Sequence, residues 1–336
     1  MLGTAAAQAY SVLRKVGLEG SVRDSAWRKH RLLILCWHGI ALDDEHHWRP
    51  SLYITQHQFR TRIKALQDGG YSVLSLDEGI ARLKLGQLPP RSVAITFDDG
   101  FYDFAARAAP VLDEFGFPAT VYLTTYYVDY QRPVFPLIIS YLLWKGCGSG
   151  RGLARGISLT TQAEAASACS RILEEADRNH ASAQEKDDIA QELAAELEID
   201  YESVLLQRKF HLMTAEETRA IAAKGRITFE AHTHRHRTPP QADLIRRELR
   251  DNNARIEQIT GRRPVHFCYP SGVFRREYFP VLEQEGFLSA TTCQAGIAST
   301  RNHRYLMPRL LDHSNLTDIQ YEGWLSGFLA AGRRHG

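Results

Sequence analysis

The chain has 336 residues, 44% hydrophobic and 24% charged, a globular composition with ample material for a core. At ~150 residues per domain, this length admits either two domains or one large α/β barrel. Lysine and arginine number 41 against 39 acids, and a net charge of +2 is too weak a field to gather phosphate backbones, which argues against a nucleic-acid binder.

In chain order, residues 1–30 read as a helical extension with basic residues at Arg23, Arg28 and Lys29, and no chemistry is assigned to it. Met1 to Tyr10 carry no charge, and Arg14 and Lys15 follow the mildly apolar stretch, the reverse of a secretory signal. From Leu32 onward, short apolar runs alternate with helical patterns. Strands are expected at Leu32 to Cys36, Val93 to Phe97, Ala119 to Thr124, Arg226 to Ala231, Val265 to Tyr269 and Leu288 to Cys293. Their near-continuous apolar character suits strands buried on both faces of a parallel sheet.

Helix starts are marked by S/T-x-x-E/Q pairs at Thr55/Gln58, Ser75/Glu78, Thr161/Glu164 and Thr214/Glu217, the capping-box pattern. Gly70 and Gly225 sit where a helix would end in a left-handed residue. Strand–helix alternation of this kind implies βαβ units with right-handed crossovers, hence an α/β barrel or an open doubly wound sheet.

The rhythm breaks at about 129–212, where no strand is expected and Thr161 to Ile199 is rich in Ala, Glu and Gln. This stretch reads as a helical insertion, expected to cover one side of the barrel mouth and to shape substrate choice. Within it, Val134 to Trp144 is too short for the ~20 residues that span a bilayer. It reads as a buried helix, with a patch touching a lipid or lipid-linked substrate as the alternative. The expected organisation is therefore an extension, 1–30, and a single domain, 31–336, carrying the insertion. Cys36, Cys147, Cys169, Cys268 and Cys293 include no C-x-x-C pair and are odd in number, which points to a reducing compartment rather than a disulfide framework.

Three polar clusters each follow an expected strand: Asp98-Asp99-Gly100, His232-Thr233-His234-Arg235-His236, and Tyr269-Pro270-Ser271-Gly272. In an α/β barrel the strand C-termini form the active face, so the three would converge on one mouth. Adjacent aspartates can serve different partners, one a metal and the other a proton, although Asp-Asp-Gly alone also suits an ordinary turn. His232 and His236 would share a face if their segment turns helically, as two imidazoles on one cation require. His234 would then face elsewhere, and Arg235 and Arg237 are solvated neighbours or contacts for an anionic group.

Thr96-Phe97-Asp98-Asp99-Gly100 followed by His232-Thr233-x-x-His236 resembles the first two motifs of the polysaccharide deacetylases, carbohydrate esterase family 4, also called the NodB-homology domain. Trp37-His38, Leu88-Pro89-Pro90, Ala109-Pro110-Val111-Leu112 and Tyr305-Leu306-Met307-Pro308-Arg309 extend the resemblance over roughly residues 32–128 and 213–312. It implies a distorted, NodB-like (β/α) barrel of about seven strands, and a metal-dependent hydrolase that removes N-acetyl groups, or occasionally O-acetyl groups, from sugars.

Carried over residue by residue, the resemblance makes Asp99, His232 and His236 the metal ligands and Asp98 the catalytic base. The backbone amide of Ser271 becomes the donor to the tetrahedral intermediate. Two imidazoles and a carboxylate leave coordination positions open for water, whose pKa a zinc-type ion brings toward ~7. Zinc is the expected metal, with cobalt, nickel or iron as alternatives.

Where many family members carry an arginine, this chain has Cys268-Tyr269-Pro270, so Arg309 is expected to supply the missing positive charge beside the base, with a surface or structural salt bridge as the alternative. The family's late Leu-x-His motif is imitated by Leu311-Asp312-His313, but no strand end is expected there. His38, closing the first strand, is therefore placed ahead of His313, as general acid or substrate-positioning residue. Trp37, Phe101 and Tyr269 are candidate sugar-stacking residues, with core packing as the alternative for each.

Two other classes compete. A non-catalytic glycan-binding descendant would be expected to have lost the base or a ligand. A two-histidine, one-carboxylate iron oxygenase would be expected on an antiparallel barrel. Without an export signal or paired cysteines, a cytoplasmic protein is expected, in peripheral contact with the membrane where its substrate is lipid-linked. The expected partner is an N-acetylated sugar, lipid- or nucleotide-linked, and the oligomeric state is left open.

Overall fold

The computed structural model describes residues 4–148 and 159–331. It divides into two compact units, one formed by the chain up to Thr125 and from Ala215 onward, the other by Tyr126–Thr214.

In the first unit, the strands among the described residues are β1 (Leu33–Trp37), β2 (Gly39–Ile40), β3 (Tyr53–Ile54), β4 (Ser72–Leu74), β5 (Ser92–Phe97), β6 (Ala119–Leu123), β7 (Ile227–Ala231), β8 (His266–Cys268), β9 (Ser289–Ala295) and β10 (Met307–Leu311). The main sheet runs β1-β10-β9-β8-β7-β6-β5, and β5 pairs back onto β1. Every one of these pairings is parallel, so seven strands close into a barrel. β4 flanks the first half of β5, outside the ring, and β2 and β3 form a separate two-stranded pair. The expected distorted barrel of about seven strands is the fold observed.

The reason is legible in the residues. LILCW of β1, SVAITF of β5 and ATVYL of β6 are buried throughout, because parallel strands covered by helices outside and side chains inside meet no solvent on either face. Threonines take up the polar needs of the interior: Thr96 Oγ1 donates to the Leu35 carbonyl at 2.7 Å, and Thr120 and Thr228 share a hydrogen bond at 3.0 Å.

All six expected strands are present, and β2, β3, β4 and β10 are additional. β10 contains Pro308, which cannot donate to a ladder and is tolerated in strands only at edges and bulges. The register between β10 and β9 does shift there, between Met307 and Arg309.

At the opposite end from the strand C-termini, Arg28 of the first thirty residues is fully buried. It donates to the carbonyls of Leu325, Arg31 and Ser92 at 3.1, 2.8 and 3.0 Å. At the same end, His266 lies between Ser289 Oγ at 2.9 Å and Asp77 Oδ1 at 3.3 Å. The residue types imitate a hydrolase triad, but Ser289 is completely buried and no substrate reaches it.

The second unit is helical where described: Tyr126–Asp129, Phe135–Gly146, Gln162–Arg178, Ala183–Glu196 and Tyr201–Leu206. The greasy helix Phe135–Gly146 buries Phe135, Ile138, Ile139, Tyr141, Leu142 and Leu143, so its apolar character is spent on packing. Residues 149–158 of this stretch lie outside the described residues. Among the described residues no helix is long and apolar enough to cross a membrane.

Candidate metal centre and active site

Because the barrel is closed and parallel, the C-terminal ends of β1, β5, β7, β8 and β10 open on one face. Asp98 and Asp99 follow β5 directly. The Asp98 amide donates to the Trp37 carbonyl at 2.9 Å, and the Asp99 carbonyl accepts from the Thr124 amide at 3.2 Å. Between those anchors the chain reverses through left-handed φ values of +70° at Asp99 and +85° at Gly100. A Cβ on Gly100 would stand 2.3 Å from Leu123 Cδ1, so the second turn position has room only for glycine. The reversal separates the neighbouring carboxylates: Asp98 is 2% exposed and Asp99 17% by side chain.

Asp99 Oδ1 lies 3.3 Å from His232 Nε2 and 3.3 Å from His236 Nε2. The three donor atoms lie within 4.8 Å of one another. The helical turn that would put both on one face is absent: residues 232–236 form an irregular loop, with left-handed φ values of +63° at Thr233 and +54° at His236. Loop curvature, not helical periodicity, brings the two imidazoles to one carboxylate.

His232 is fixed from behind. Its Nδ1 is 2.8 Å from the Cys268 carbonyl, which favours the proton on that nitrogen and leaves the Nε2 lone pair facing Asp99. Its backbone amide donates to Asn252 Oδ1 at 3.0 Å, while Asn252 Nδ2 donates to the Leu123 carbonyl and to Thr125 Oγ1. Two imidazole nitrogens and a carboxylate oxygen, the first of them oriented in this way, fit a borderline divalent cation. His234 turns away to Thr125 Oγ1 at 2.9 Å, and Arg235 pairs with Glu248 at 3.2 Å.

Asp98 points into the barrel, where Arg309 meets it in a fork: Nη1 to Oδ1 at 2.7 Å and Nη2 to Oδ2 at 2.8 Å. Arg309 Nε donates to the Thr292 carbonyl at 3.1 Å, on the neighbouring strand at the register shift. Burial alone would raise the Asp98 pKa, but the guanidinium outweighs it and holds the carboxyl well below the usual range. Burial works against ionised Asp99 as well, and the histidines beside it pull its pKa down. For His232, burial lowers the pKa, yet the two carboxylates prevail and the net shift is upward.

His38 follows β1 and stands 3.6 Å from Asp98 Oδ2, 18% exposed. His313 is better placed than its sequence context suggests, because β10 ends at Leu311 and delivers Asp312 and His313 to the same mouth. His313 is half-buried, its Nδ1 has no partner among the described residues, and burial pushes its pKa down. Ser271 follows β8 in a left-handed turn, φ +55°, and is exposed.

The proposed stacking residues fare differently. Trp37 is completely buried, its ring stacked on Phe97 at 5.6 Å and its Nε1 donating to Asp312 Oδ2 at 3.0 Å. Tyr269 is completely buried among Phe267, Phe274 and Tyr278, and Phe101 is 6% exposed. All three are core residues as the structure stands, and none offers a ring face to a sugar. Sequence reasoning missed Asn252, whose contacts join segments far apart in the chain and leave no local pattern, and gave Cys268 no part beyond marking where the family's arginine is absent.

The sequence profile of the family described as polysaccharide deacetylase matches residues 86–290, more than half of the chain, and that span contains Asp98, Asp99, His232 and His236. The chain belongs to the polysaccharide deacetylase family. Among this family member's relatives, the poly-beta-1,6-N-acetyl-D-glucosamine N-deacetylase of Staphylococcus aureus is 36% identical over 79 residues, 24% of this chain and 27% of the relative. The Escherichia coli protein of the same description is 26% identical over 102 residues, 30% of this chain and 15% of the relative. The matched segments thus span well under a third of either relative. The Streptococcus pyogenes deacetylase PplD, solved with acetate, superposes with a TM-score of 0.59 at 17% identity, over 86% of this chain and 96% of that one. That last likeness is one of fold.

Proposed function

We propose that this chain is a divalent-metal-dependent hydrolase that removes the acetyl group from an N-acetylated saccharide. The observation that carries the reading is a buried carboxylate, Asp98, locked by Arg309 one residue away from the Asp99, His232 and His236 cluster. Both relatives described above are named N-deacetylases of an N-acetylglucosamine polymer, which supports the substrate class.

Asp99, His232 and His236 would hold the ion, zinc first among the candidates. When bound, it supplies Lewis-acid polarisation of the acetamide carbonyl and acidifies the attacking water. Asp98 accepts the proton of that water. Arg309 keeps the carboxylate ionised and fixes the plane in which it receives the proton. The backbone amide of Ser271 donates to the oxygen on which negative charge develops. His38, in contact with the base, returns a proton to the sugar nitrogen as the C–N bond breaks, leaving acetate and a free amine. A paired base beside the ligands favours hydrolysis over an oxygenase, whose metal triad has no use for it.

Acetate release should be measured on a panel of N-acetyl sugars, free, polymeric and linked to lipid or nucleotide carriers, with and without a chelator. Metal-restored release that Asp98→Asn abolishes is the expected result. Release unchanged in Asp98→Asn under saturating metal overturns the reading.

A further inference from the structure

Two buried thiols, Cys36 and Cys268, reach the base, and the proposed reaction uses neither. Cys36 is fully buried near the end of β1, and His38 lies two residues on. Residues at that spacing in extended chain point to the same side. β1 and β5 pair in register, Cys36 with Thr96 and Trp37 with Phe97, which carries the residue after β5, Asp98, alongside. As a result Cys36 Sγ, a ring nitrogen of His38 and a carboxylate oxygen of Asp98 lie within 4.8 Å of one another. No residue of the Asp99, His232 and His236 cluster belongs to this set.

Cys268 forms a similar group with Asp98 and His232. That group borrows a ligand of the first centre, and its sulfur already accepts from Arg309 Nη2 at 3.0 Å. The Cys36 group is less committed. Its thiol makes a long 3.7 Å contact to the Trp37 carbonyl, and among the described residues the His38 side chain makes its polar contact with Asp98 itself. His38 is 18% exposed, so one side of the group opens toward solvent.

One sulfur, one imidazole nitrogen and one carboxylate oxygen suit a thiophilic divalent cation rather than magnesium or calcium. We propose that Cys36, His38 and Asp98 form a second cation site, one that accepts Cd2+, or Zn2+ in excess, and that inhibits the enzyme when filled. On binding, the Cys36 S–H bond breaks, a sulfur–metal bond forms, and the proton leaves to solvent with no change of oxidation state. Arg309 contributes a positive charge next to this site, so the ion binds there more weakly than at the first centre and is felt only at higher concentration. Inhibition follows because the ion occupies the base and its neighbouring histidine together. That half of the inference rests on the role proposed for Asp98, whereas the binding half does not.

The test is a Cd2+ titration of the full chain, reading bound metal per chain, the ultraviolet charge-transfer band of a cadmium–thiolate bond, and acetate release. Wild type is expected to take up two ions, with the band rising and activity falling only as the second binds. Cys36→Ala, with Cys36→Ser as the conservative companion, should bind one ion, show no band, and weaken the inhibition by about tenfold or more. Cys268→Ala should keep both the second ion and the band. A band that survives in both Cys36 variants, or one that vanishes in Cys268→Ala, overturns the site. His236→Ala separates the two readings, since it should lose the first ion and activity while retaining the band. A band without acetate release under any metal would leave the second site standing and remove the deacetylase.

Discussion

Arg309 and Asp98 meet through two parallel hydrogen bonds, 2.7 and 2.8 Å, with both side chains withdrawn from solvent. Removing one partner of such a pair strands a buried charge, which costs about 3–5 kcal/mol. Arg309→Ala is therefore expected to lower stability by that amount in denaturant unfolding and to lower kcat, with Arg309→Lys intermediate in both because it keeps the charge and loses the fork. Full turnover in a folded Arg309→Ala protein would show that the base does not need its partner.

The proton donor can be identified by leaving group. An acetamide needs its departing nitrogen protonated and an aryl acetate does not, so loss of the donor should spare the ester. His38→Ala is expected to lower amide turnover by about 10²–10⁴ while keeping most ester turnover. The same pattern in His313→Ala, with His38→Ala little affected, would transfer the role to the histidine that follows β10.

Asn252 holds the backbone of His232 without touching the proposed ion. Asn252→Ala should weaken metal affinity about 10–100-fold, the usual effect of removing an outer support, with a smaller loss of kcat at saturating metal. Equilibrium dialysis against zinc checks this, and unchanged affinity would show that the loop holds its shape without the asparagine.

Asp312, buried beside Trp37 and Arg62, has its pKa pushed up to about 6, chiefly by burial, with Arg62 opposing. A folded-state pKa above the unfolded value means the ionised form is penalised in the fold. The penalty is present above pH ~6 and is relieved as pH falls toward ~4. Relative to Asp312→Asn, wild type should therefore gain stability as pH is lowered from 7 to 4, by up to about 3 kcal/mol. Denaturant unfolding of both proteins across that range measures the difference, and parallel curves would contradict the shift.

Those residues also mark where the sequence was legible. Asp98, Asp99, His232 and His236 lie in short motifs at the ends of strands whose apolar runs are unmistakable, so local pattern sufficed to bring them together. Even there, the backbone departs from the helical turn under which two histidines four apart share a face: the His232 to His236 segment is a loop with left-handed bends. β10 was illegible because a proline and an arginine interrupt five residues, and only the register shift against β9 makes both acceptable. Missing that strand hid the placement of His313. Trp37 and Tyr269 look like sugar platforms in sequence, since an aromatic beside a motif reads the same whether it faces the mouth or the core. Asn252 acts through three contacts to distant segments, and no single-sequence pattern encodes those.

The left-handed backbone at Asp99, Thr233, His236 and Ser271 has an evolutionary corollary. Each such non-glycine residue costs on the order of 1–3 kcal/mol that the rest of the barrel offsets. A selection for heat resistance alone would relieve that tension first, and Thr233, which is not a proposed ligand, is where glycine or asparagine should appear earliest. Survivors of such a selection are expected to melt higher and to keep their metal, because glycine and asparagine adopt the same left-handed bend at less cost and so leave the imidazoles aimed as they are.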